Sequence, residues 1–459
     1  MISKLLNMFF DNLQRLNLSK LLAITTVYCI FLASFTNFYA AYEYNRFLLG
    51  YIELLVFIVI GCCIGRGDYF QRKRYVGYLM YLIWIVVTYL FRGDIYLLDD
   101  NNRIVFINQC IFCGIALPFS HVSGDTKARK HLDTLFGIMI FVVAFLLWLC
   151  FIGAFLGENI QLMDGRFEFG VKYTYTGRMM LKVLALYYYH LGYLSVVCFF
   201  SALYMAVTHW SKITAPLWIL LLATFSAGIL LTYSRTGVFS FAGGLLLAFH
   251  IFLQNLPLSK SSRRRIFLIA IIAGIFLTGA GMNLIYSAVH SIRDIWYGIS
   301  TFSSRTEIWG AIFQVLRDYT SSIVFGLPLE LGMSIVNQYL PDLDYIANMH
   351  SGFLQTLLAL GIPGFLCIIW FTLYLIRCSC RVFFTPSNCG ITNSDKLLIL
   401  IPAVSLCMAL FESILFYGCV ELTILNIINA LTAGYIIETE WHCRHPQPSD
   451  AVCLPVSES

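Results

Sequence analysis

Charged residues are scarce in this chain. Asp, Glu, Lys and Arg make up only 12% of its 459 residues, while hydrophobic residues reach 59% and the mean hydropathy is +0.77. This composition excludes a soluble fold and predicts a core that is solvated by lipid. The net charge of +5 does not indicate nucleic-acid binding, because the basic clusters lie beside the ends of apolar runs, where topology and anionic headgroups account for them.

Cysteine is absent from the two longest polar connections, 157–182 and 287–349, although the chain has 15 cysteines. Loops that face an oxidising space avoid unpaired thiols, so this distribution places both loops outside and predicts no disulfide framework. The cluster of His442, Cys443 and His445 fits no common zinc-ligand spacing and is typical of a flexible tail. We therefore expect neither a metal nor another cofactor.

Long apolar runs fill most of the chain. We count about twelve that are long enough to cross hydrocarbon, at the usual length of roughly 20 residues. All twelve are bounded by charged breaks, and they cover Leu21–Phe38, Phe47–Gly65, Tyr75–Phe91, Ile104–Phe119, Leu132–Leu156, Val183–Val207, Ala215–Thr232, Val238–Leu253, Ile266–Tyr286, Gly352–Ile376, Leu397–Phe416 and Glu421–Ile437. The sequence thus predicts an all-α, polytopic membrane protein.

The distribution of Lys and Arg predicts the orientation. About 19 of the 30 fall in connections on one side, and the positive-inside rule makes that side cytoplasmic, together with both termini. The predicted organisation has five parts. They are an interfacial helix at 1–20, nine spans within 21–286, an outer loop with amphipathic helices at 287–350, three spans within 351–437 and a cytoplasmic tail at 438–459.

The longer outer loop contains the segment SSRTEIWGAIFQVLRD. Ser304 and Glu307 have the spacing of a capping box, and an apolar stripe follows, which predicts a helix lying in the membrane surface. Arg305 would lie in the first turn, where its planar guanidinium adds to the positive end of the helix dipole and suits a phosphate. The alternative is an Arg that only reaches lipid headgroups.

A second arginine lies in YSRTG, between the seventh and eighth predicted spans. No acidic residue occurs from Thr214 to Gln254, so the partner of Arg235 must come from another segment or from a ligand. A cation in this position is a candidate functional group. An interfacial Arg bound to lipid phosphates is the alternative.

The tenth span opens with NMHSGFLQTLLALGIPGFL. His350 precedes a helix N-terminus, whose dipole favours the neutral imidazole that a general base needs. Gly361, Pro363 and Gly364 predict a kink deeper in this span. Glu412, at the outer end of the eleventh span, is a second candidate base or the group that orients His350. Structural roles for the histidine and a helix-packing role for the glutamate are the alternatives.

The first outer loop, MDGRFEFGVKYTYTGRMMLK, mixes basic and aromatic residues. Such a mixture suits stacking on sugar faces and binding phosphates, so Arg178 and Lys182 are candidate acceptor-binding residues. An aromatic and basic belt at the membrane interface explains the same pattern.

Three of these motifs, SRTG after a span, SRTEIW in an outer loop and HSGFLQTLLALGIPG opening the next span, resemble the O-antigen ligase/polymerase family. The resemblance covers about 217–376 and implies an all-α fold similar to GT-C-type glycosyltransferases. It implies metal-independent transfer of a glycan from undecaprenyl diphosphate, on the periplasmic side of a bacterial inner membrane. Arg235 and Arg305 would then contact the diphosphate, and His350 would be catalytic. The family often has Asn after the histidine, whereas Ser351 stands here, so no amide-specific role is assigned to it.

Several functions stay open at this point. A ligase would transfer the polymer to a lipid A-core acceptor, a polymerase would transfer it to another lipid-linked repeat, and transfer to protein uses the same donor. We favour the ligase because the Arg305 loop is modest in length and leads directly into the His350 span. A transporter or flippase of lipid-linked glycans would share the twelve-span plan, although the charges at span ends and the lack of an obvious repeat argue against it.

Overall fold

The computed structural model describes residues 76–92, 126–156, 160–162, 167–173, 179–183, 188–232, 234–257, 259, 261–273, 305–341, 349–385, 391–412 and 423–445. Twelve labelled helices lie in these ranges, and residues 261–273 are also helical. The helices are α1 (Val76–Arg92), α2 (Thr126–Leu156), α3 (Tyr188–Thr208), α4 (Ala215–Leu231), α5 (Arg235–Gln254), α6 (Arg305–Asp318), α7 (Ser322–Phe325), α8 (Leu329–Gln338), α9 (Gly352–Phe384), α10 (Asn393–Leu398), α11 (Leu400–Phe411) and α12 (Thr423–Arg444).

The prediction of an all-α, multi-pass membrane protein is confirmed, with one small sheet in a loop as the exception. Within the described ranges, five segments are long and apolar enough to span a membrane, namely Leu132–Leu156, His190–Thr208, Arg235–Gln254, Gly352–Phe384 and Asn393–Phe411. Two shorter apolar helical segments are Ile83–Arg92 and Ala215–Leu231. The predicted spans at 21–38, 47–65 and 104–119, most of 266–286 and the helix at 1–20 lie outside the described residues, so the total of twelve stays a prediction.

A small antiparallel sheet, which the sequence analysis did not predict, lies in the first large loop. Strands β1 (Ile160–Leu162), β2 (Phe167–Tyr173) and β3 (Met179–Val183) pair in the order β1-β2-β3, with Phe169 opposite both Ile160 and Val183. The β2 segment FEFGVKY alternates apolar and polar residues except at its glycine, which is the two-residue period of a strand. The mixture of aromatic and basic groups in the same residues does not by itself indicate this pairing.

Helix α3 lies at the centre of the helical bundle. It packs against α2, α4, α5, α10 and α11, and its apolar window is the most buried of the five candidate spans. Phe200 and Tyr204 of this helix are completely buried. In contrast, Phe155 of α2 is 90% exposed, as expected of a side chain that faces lipid. Helix α3 is therefore the central helix against which the surrounding helices pack.

Helices α6 and α8 form a second apolar cluster with the start of α9. Ile308, Ile312 and Leu316 of α6 are buried there, together with Met349 and Leu357. The predicted apolar stripe of α6 thus packs mainly on protein, while Phe313 is 56% exposed. Ser304, the predicted cap, lies outside the described residues. This packing fixes α6 against the segment that contains His350.

Helix α9 is broken at the position where the sequence predicts a kink. Gly361 has φ +68° and ψ −172°, and Pro363 follows two residues later. A Cβ atom at Gly361 would lie 2.3 Å from the Val324 carbonyl oxygen, so only glycine permits both this backbone conformation and this close approach. The break separates a short segment, Gly352 to Leu360, from the longer remainder of α9.

Candidate functional site

Glu412 joins two of the predicted site residues. It follows the last residue of α11, and its carboxylate pairs through Oε1 with Nη2 of Arg305 and through Oε2 with Nδ1 of His350, the latter at 3.3 Å. The side chains of Glu412 and Arg305 are 12% and 18% exposed, whereas that of His350 is 37% exposed. Three groups that are far apart in sequence therefore meet in a largely buried cluster, and the imidazole is its most exposed member.

Backbone contacts hold the same segments together. The Gly352 N–H donates to the Glu412 carbonyl at 3.0 Å, and Trp309 Nε1 of α6 donates to the Met349 carbonyl at 3.3 Å. Residues on both sides of His350 are thus tied to the elements that carry Glu412 and Arg305. The position of the imidazole does not depend on a side-chain contact alone.

His350 itself has an unusual backbone conformation. Its φ is +48°, and it is the only non-glycine residue with positive φ in the described part of the chain. Ser351 caps α9 by accepting a hydrogen bond from the Leu354 N–H at 3.4 Å, which gives this residue a structural role. A non-glycine residue in the left-handed region is strained, and such strain persists where surrounding contacts determine the conformation. His350 contacts Glu412, and its neighbour Met349 accepts a hydrogen bond from Trp309, and these contacts hold the conformation.

The contact with Glu412 assigns the tautomer of His350. An ionised carboxylate only accepts hydrogen bonds, so Nδ1 must carry the proton that lies between the two groups. In a neutral imidazole of this tautomer, Nε2 carries no proton and can accept one. This is the arrangement of a general base whose orientation is fixed by a carboxylate.

Tyr193 connects Glu412 to the segment that carries Arg235. This α3 residue is 1% exposed, and its hydroxyl forms hydrogen bonds with the side chains of Glu412 and Ser234. Ser234 is the N-cap of α5, where its hydroxyl oxygen accepts from the Gly237 N–H at 3.1 Å. Sequence analysis missed Tyr193, because one tyrosine in a span that is rich in tyrosine carries no distinguishing signal.

Arg235 is the first residue of α5, directly after that cap, and it is exposed. It therefore begins a helix, next to a residue that belongs to the hydrogen-bonded cluster around Glu412. The predicted site residues Arg235, Arg305, His350 and Glu412 thus lie on three helix starts and one helix end that are linked by named contacts. Two positive dipole ends, at α5 and α6, add to the two guanidinium groups.

The guanidinium of Arg305 pairs with a carboxylate, a partner that the sequence analysis did not identify. Its Nη2 pairs with Glu412, and its buried Nε has no hydrogen-bond partner among the described residues. With the imidazole neutral, the charges of Arg305 and Glu412 offset each other, and Arg235, next to the cap residue Ser234, adds a positive charge at the start of α5. An anion that enters this cluster would meet the unsatisfied Nε–H group of Arg305.

The predicted acceptor residues are not brought into this cluster by any contact that the structure shows. Arg178 lies outside the described residues, and Lys182 lies on β3, where only the backbone is described. Their role stays a prediction. A search of the described residues for three or more His, Cys, Asp or Glu side chains that could hold a metal found no such group.

Replacing Tyr193 by phenylalanine is expected to lower turnover about tenfold and stability by about 1–2 kcal/mol, because Glu412 loses one donor and Ser234 loses its partner. Tyr204→Phe is the matched control, since this equally buried α3 tyrosine binds Arg129 and Asp133 instead. Thermal unfolding and transfer rates should be compared. Equal rate losses in the two variants would show that the Tyr193 hydroxyl has no special link to the site.

Part of the chain is similar to a known protein family. Residues 219–369 match the family model described as O-antigen ligase, a stretch that includes Arg235, Arg305 and His350 but ends before Glu412. A search of curated proteins found no significant match. Residues 219–369 are therefore similar to the O-antigen ligase family, and this similarity supports a ligase- or polymerase-type function in O-antigen synthesis for a multi-pass membrane protein.

Proposed function

We propose that this protein is an O-antigen ligase, which transfers a polysaccharide from undecaprenyl diphosphate to a lipid A-core acceptor. The observation that supports the proposal most is the pairing of Glu412 with both Arg305 and His350. This pairing puts a candidate base beside a candidate anion-binding group. The transfer needs both, because an acceptor hydroxyl loses a proton while a diphosphate gains charge.

In the proposed reaction, Nε2 of His350 takes the proton of the acceptor hydroxyl as that oxygen attacks the anomeric carbon of the donor sugar. The bond from that carbon to the diphosphate oxygen breaks, and its electron pair leaves with undecaprenyl diphosphate. A single displacement inverts the anomeric centre. Glu412 stabilises the imidazolium that forms, since its carboxylate already accepts a hydrogen bond from the Nδ1–H group.

Arg305 and Arg235 bind the diphosphate and stabilise the charge that develops on it. Arg305 is held by Glu412, so its free N–H groups have a fixed direction and need little reorganisation during the reaction. Arg235 is exposed at the start of α5, where the positive end of the helix dipole also attracts a phosphate oxygen. No metal is required in this scheme, because the guanidinium groups supply the positive charge.

The proposed setting is the bacterial inner membrane. The site faces the periplasm, both termini are cytoplasmic, and the donor and the acceptor reach the site as membrane lipids. Arg178 and Lys182, in the loop that contains the three-stranded sheet, bind phosphates of the acceptor core in this proposal. The fold is expected to be similar to that of GT-C-type glycosyltransferases, and the domain limits are those given above from the sequence.

A reconstituted assay tests the proposal. Purified protein in liposomes is supplied with undecaprenyl-diphosphate-linked glycan and rough lipopolysaccharide, and the products are separated by gel electrophoresis. A ligase yields a ladder on lipopolysaccharide, whereas a polymerase yields longer lipid-linked glycan without needing the second acceptor. Movement of the donor across the bilayer without either product would contradict an enzymatic function and favour transport.

A further inference from the structure

The backbone carbonyl groups at the break in α9 accept hydrogen bonds from donors in two other parts of the chain. The carbonyl oxygens of Leu358, Ala359 and Leu360 accept hydrogen bonds from Leu327 N, Arg92 Nη1 and Trp84 Nε1, at 2.8, 2.6 and 2.8 Å. In an unbroken helix the donor to the Ala359 carbonyl would be residue 363, which is a proline and has no N–H. The guanidinium of Arg92 thus replaces a missing backbone donor.

The same guanidinium also holds α7. Nη1 of Arg92 donates to the Phe325 carbonyl at 3.1 Å, and the Phe325 ring stacks on Trp84 and Phe91 of α1, with centroids at 5.7 and 5.2 Å. Gly326 follows with φ +67°, and a Cβ atom there would lie 2.3 Å from the Ala359 carbonyl carbon. Arg92 and Trp84 therefore clamp the end of α7 directly onto the broken turn of α9.

One site residue directly precedes a clamped element, and another lies on the helix that leads into one. His350 precedes the short outer segment of α9, and Ala359 lies about 10 Å beyond Gly352 at 1.5 Å per residue. Arg305 begins α6, which is joined to α7 by only three residues. The clamp thus fixes the element that carries His350 relative to the element that carries Arg305, while neither Arg92 nor Trp84 contacts the cluster around Glu412 in any contact that the described residues show.

We propose that Arg92, assisted by Trp84, is a positioning residue for glycosyl transfer, and this inference rests on the proposed function. By satisfying the broken turn and holding α7 against it, Arg92 keeps Arg305 and His350 at the spacing that Glu412 bridges. A broken helix without these donors would shift or fray at the break. Shifts of about 1 Å at a reacting group, from changes far from the chemistry, can cost on the order of 100-fold in rate.

The test compares Arg92→Ala, Arg92→Lys and Trp84→Phe with wild type in lipid nanodiscs. Trp84→Phe keeps a ring for stacking on Phe325 but removes the donor to Leu360. Amide hydrogen exchange at 322–327 and 351–360 is expected to be about tenfold faster in Arg92→Ala, less so in the other two, and unchanged at 235–254. Arg317→Ala, whose side chain in wild type is 76% exposed at the end of α6, is the matched control and should exchange like wild type.

Transfer kinetics complete the test. The kcat of Arg92→Ala should fall about 10- to 100-fold, with partial recovery in Arg92→Lys. Its pH–rate profile should also move, because the contact between His350 and Glu412 is displaced, whereas a smaller folded fraction only scales the curve. The inference would be overturned by a folded Arg92→Ala variant that has wild-type rates of amide hydrogen exchange or a wild-type pH–rate profile. If Arg92→Ala does not fold, Trp84→Phe decides by the same measurements. Absence of transfer by the wild-type protein would instead overturn the proposed function, while hydrogen exchange still reports on the clamp.

Discussion

Replacing His350 by alanine is expected to lower the transfer rate by about 100- to 10,000-fold, the usual contribution of a positioned general base. The variant loses the only imidazole that the structure places against Glu412 within the described residues. Donor binding should change far less, because the arginines stay. The rate is measured with saturating donor and acceptor, and donor affinity is measured separately.

His350→Gly separates catalysis from backbone strain. Glycine adopts φ +48° without cost, so this variant should be at least as stable as His350→Ala and equally slow. His209→Ala is a control for losing an imidazole elsewhere, since His209 is exposed and contacts Asp133, which keeps its hydrogen bond from Tyr204. A His350→Ala variant that retains more than about a tenth of the wild-type rate would remove the histidine from the role of base.

Glu412→Gln is expected to lower the rate about 100-fold or more, because it removes the charge that stabilises the imidazolium and fixes the tautomer. It should also destabilise the fold by about 1–3 kcal/mol, since Arg305 loses its charged partner. The amide has nearly the shape of the carboxylate, so packing is kept. Thermal unfolding and the pH dependence of turnover are measured together.

Glu440→Gln is the matched control for this substitution. Glu440 is 4% exposed and pairs with Arg381 and Arg444, so it is also a buried carboxylate bound to arginine, but it lies near the C-terminal end of α12 and pairs with neither Arg305 nor His350. It should cost similar stability without a comparable loss of turnover. Equal rate losses in both variants would mean that Glu412 acts only through folding, and the proposed base–carboxylate pair would be wrong.

The helices show how far local sequence patterns reach. The observed α4 and α9 begin at the predicted residues, Ala215 and Gly352, because apolar runs and capping residues are properties of neighbours in the chain. Gly361 and Pro363 likewise determine the break in α9 locally. The ends of α9 and α12 run to Phe384 and Arg444, beyond the apolar runs, since buried partners and ion pairs support polar turns that hydropathy excludes.

For the candidate site too, sequence patterns indicated which residues to consider, whereas the tertiary structure decided their contacts. Residue types and motif order were enough to select Arg235, Arg305, His350 and Glu412, because an arginine or a carboxylate at a span end is unusual whatever its partners. The pairing of Glu412 with residues 107 and 62 positions away, the bridge through Tyr193 and the donors that Arg92 and Trp84 supply to α9 were decided only by the tertiary structure. Periodicity and propensity describe neighbours along the chain, whereas hydrogen bonds between distant segments depend on how the helices pack.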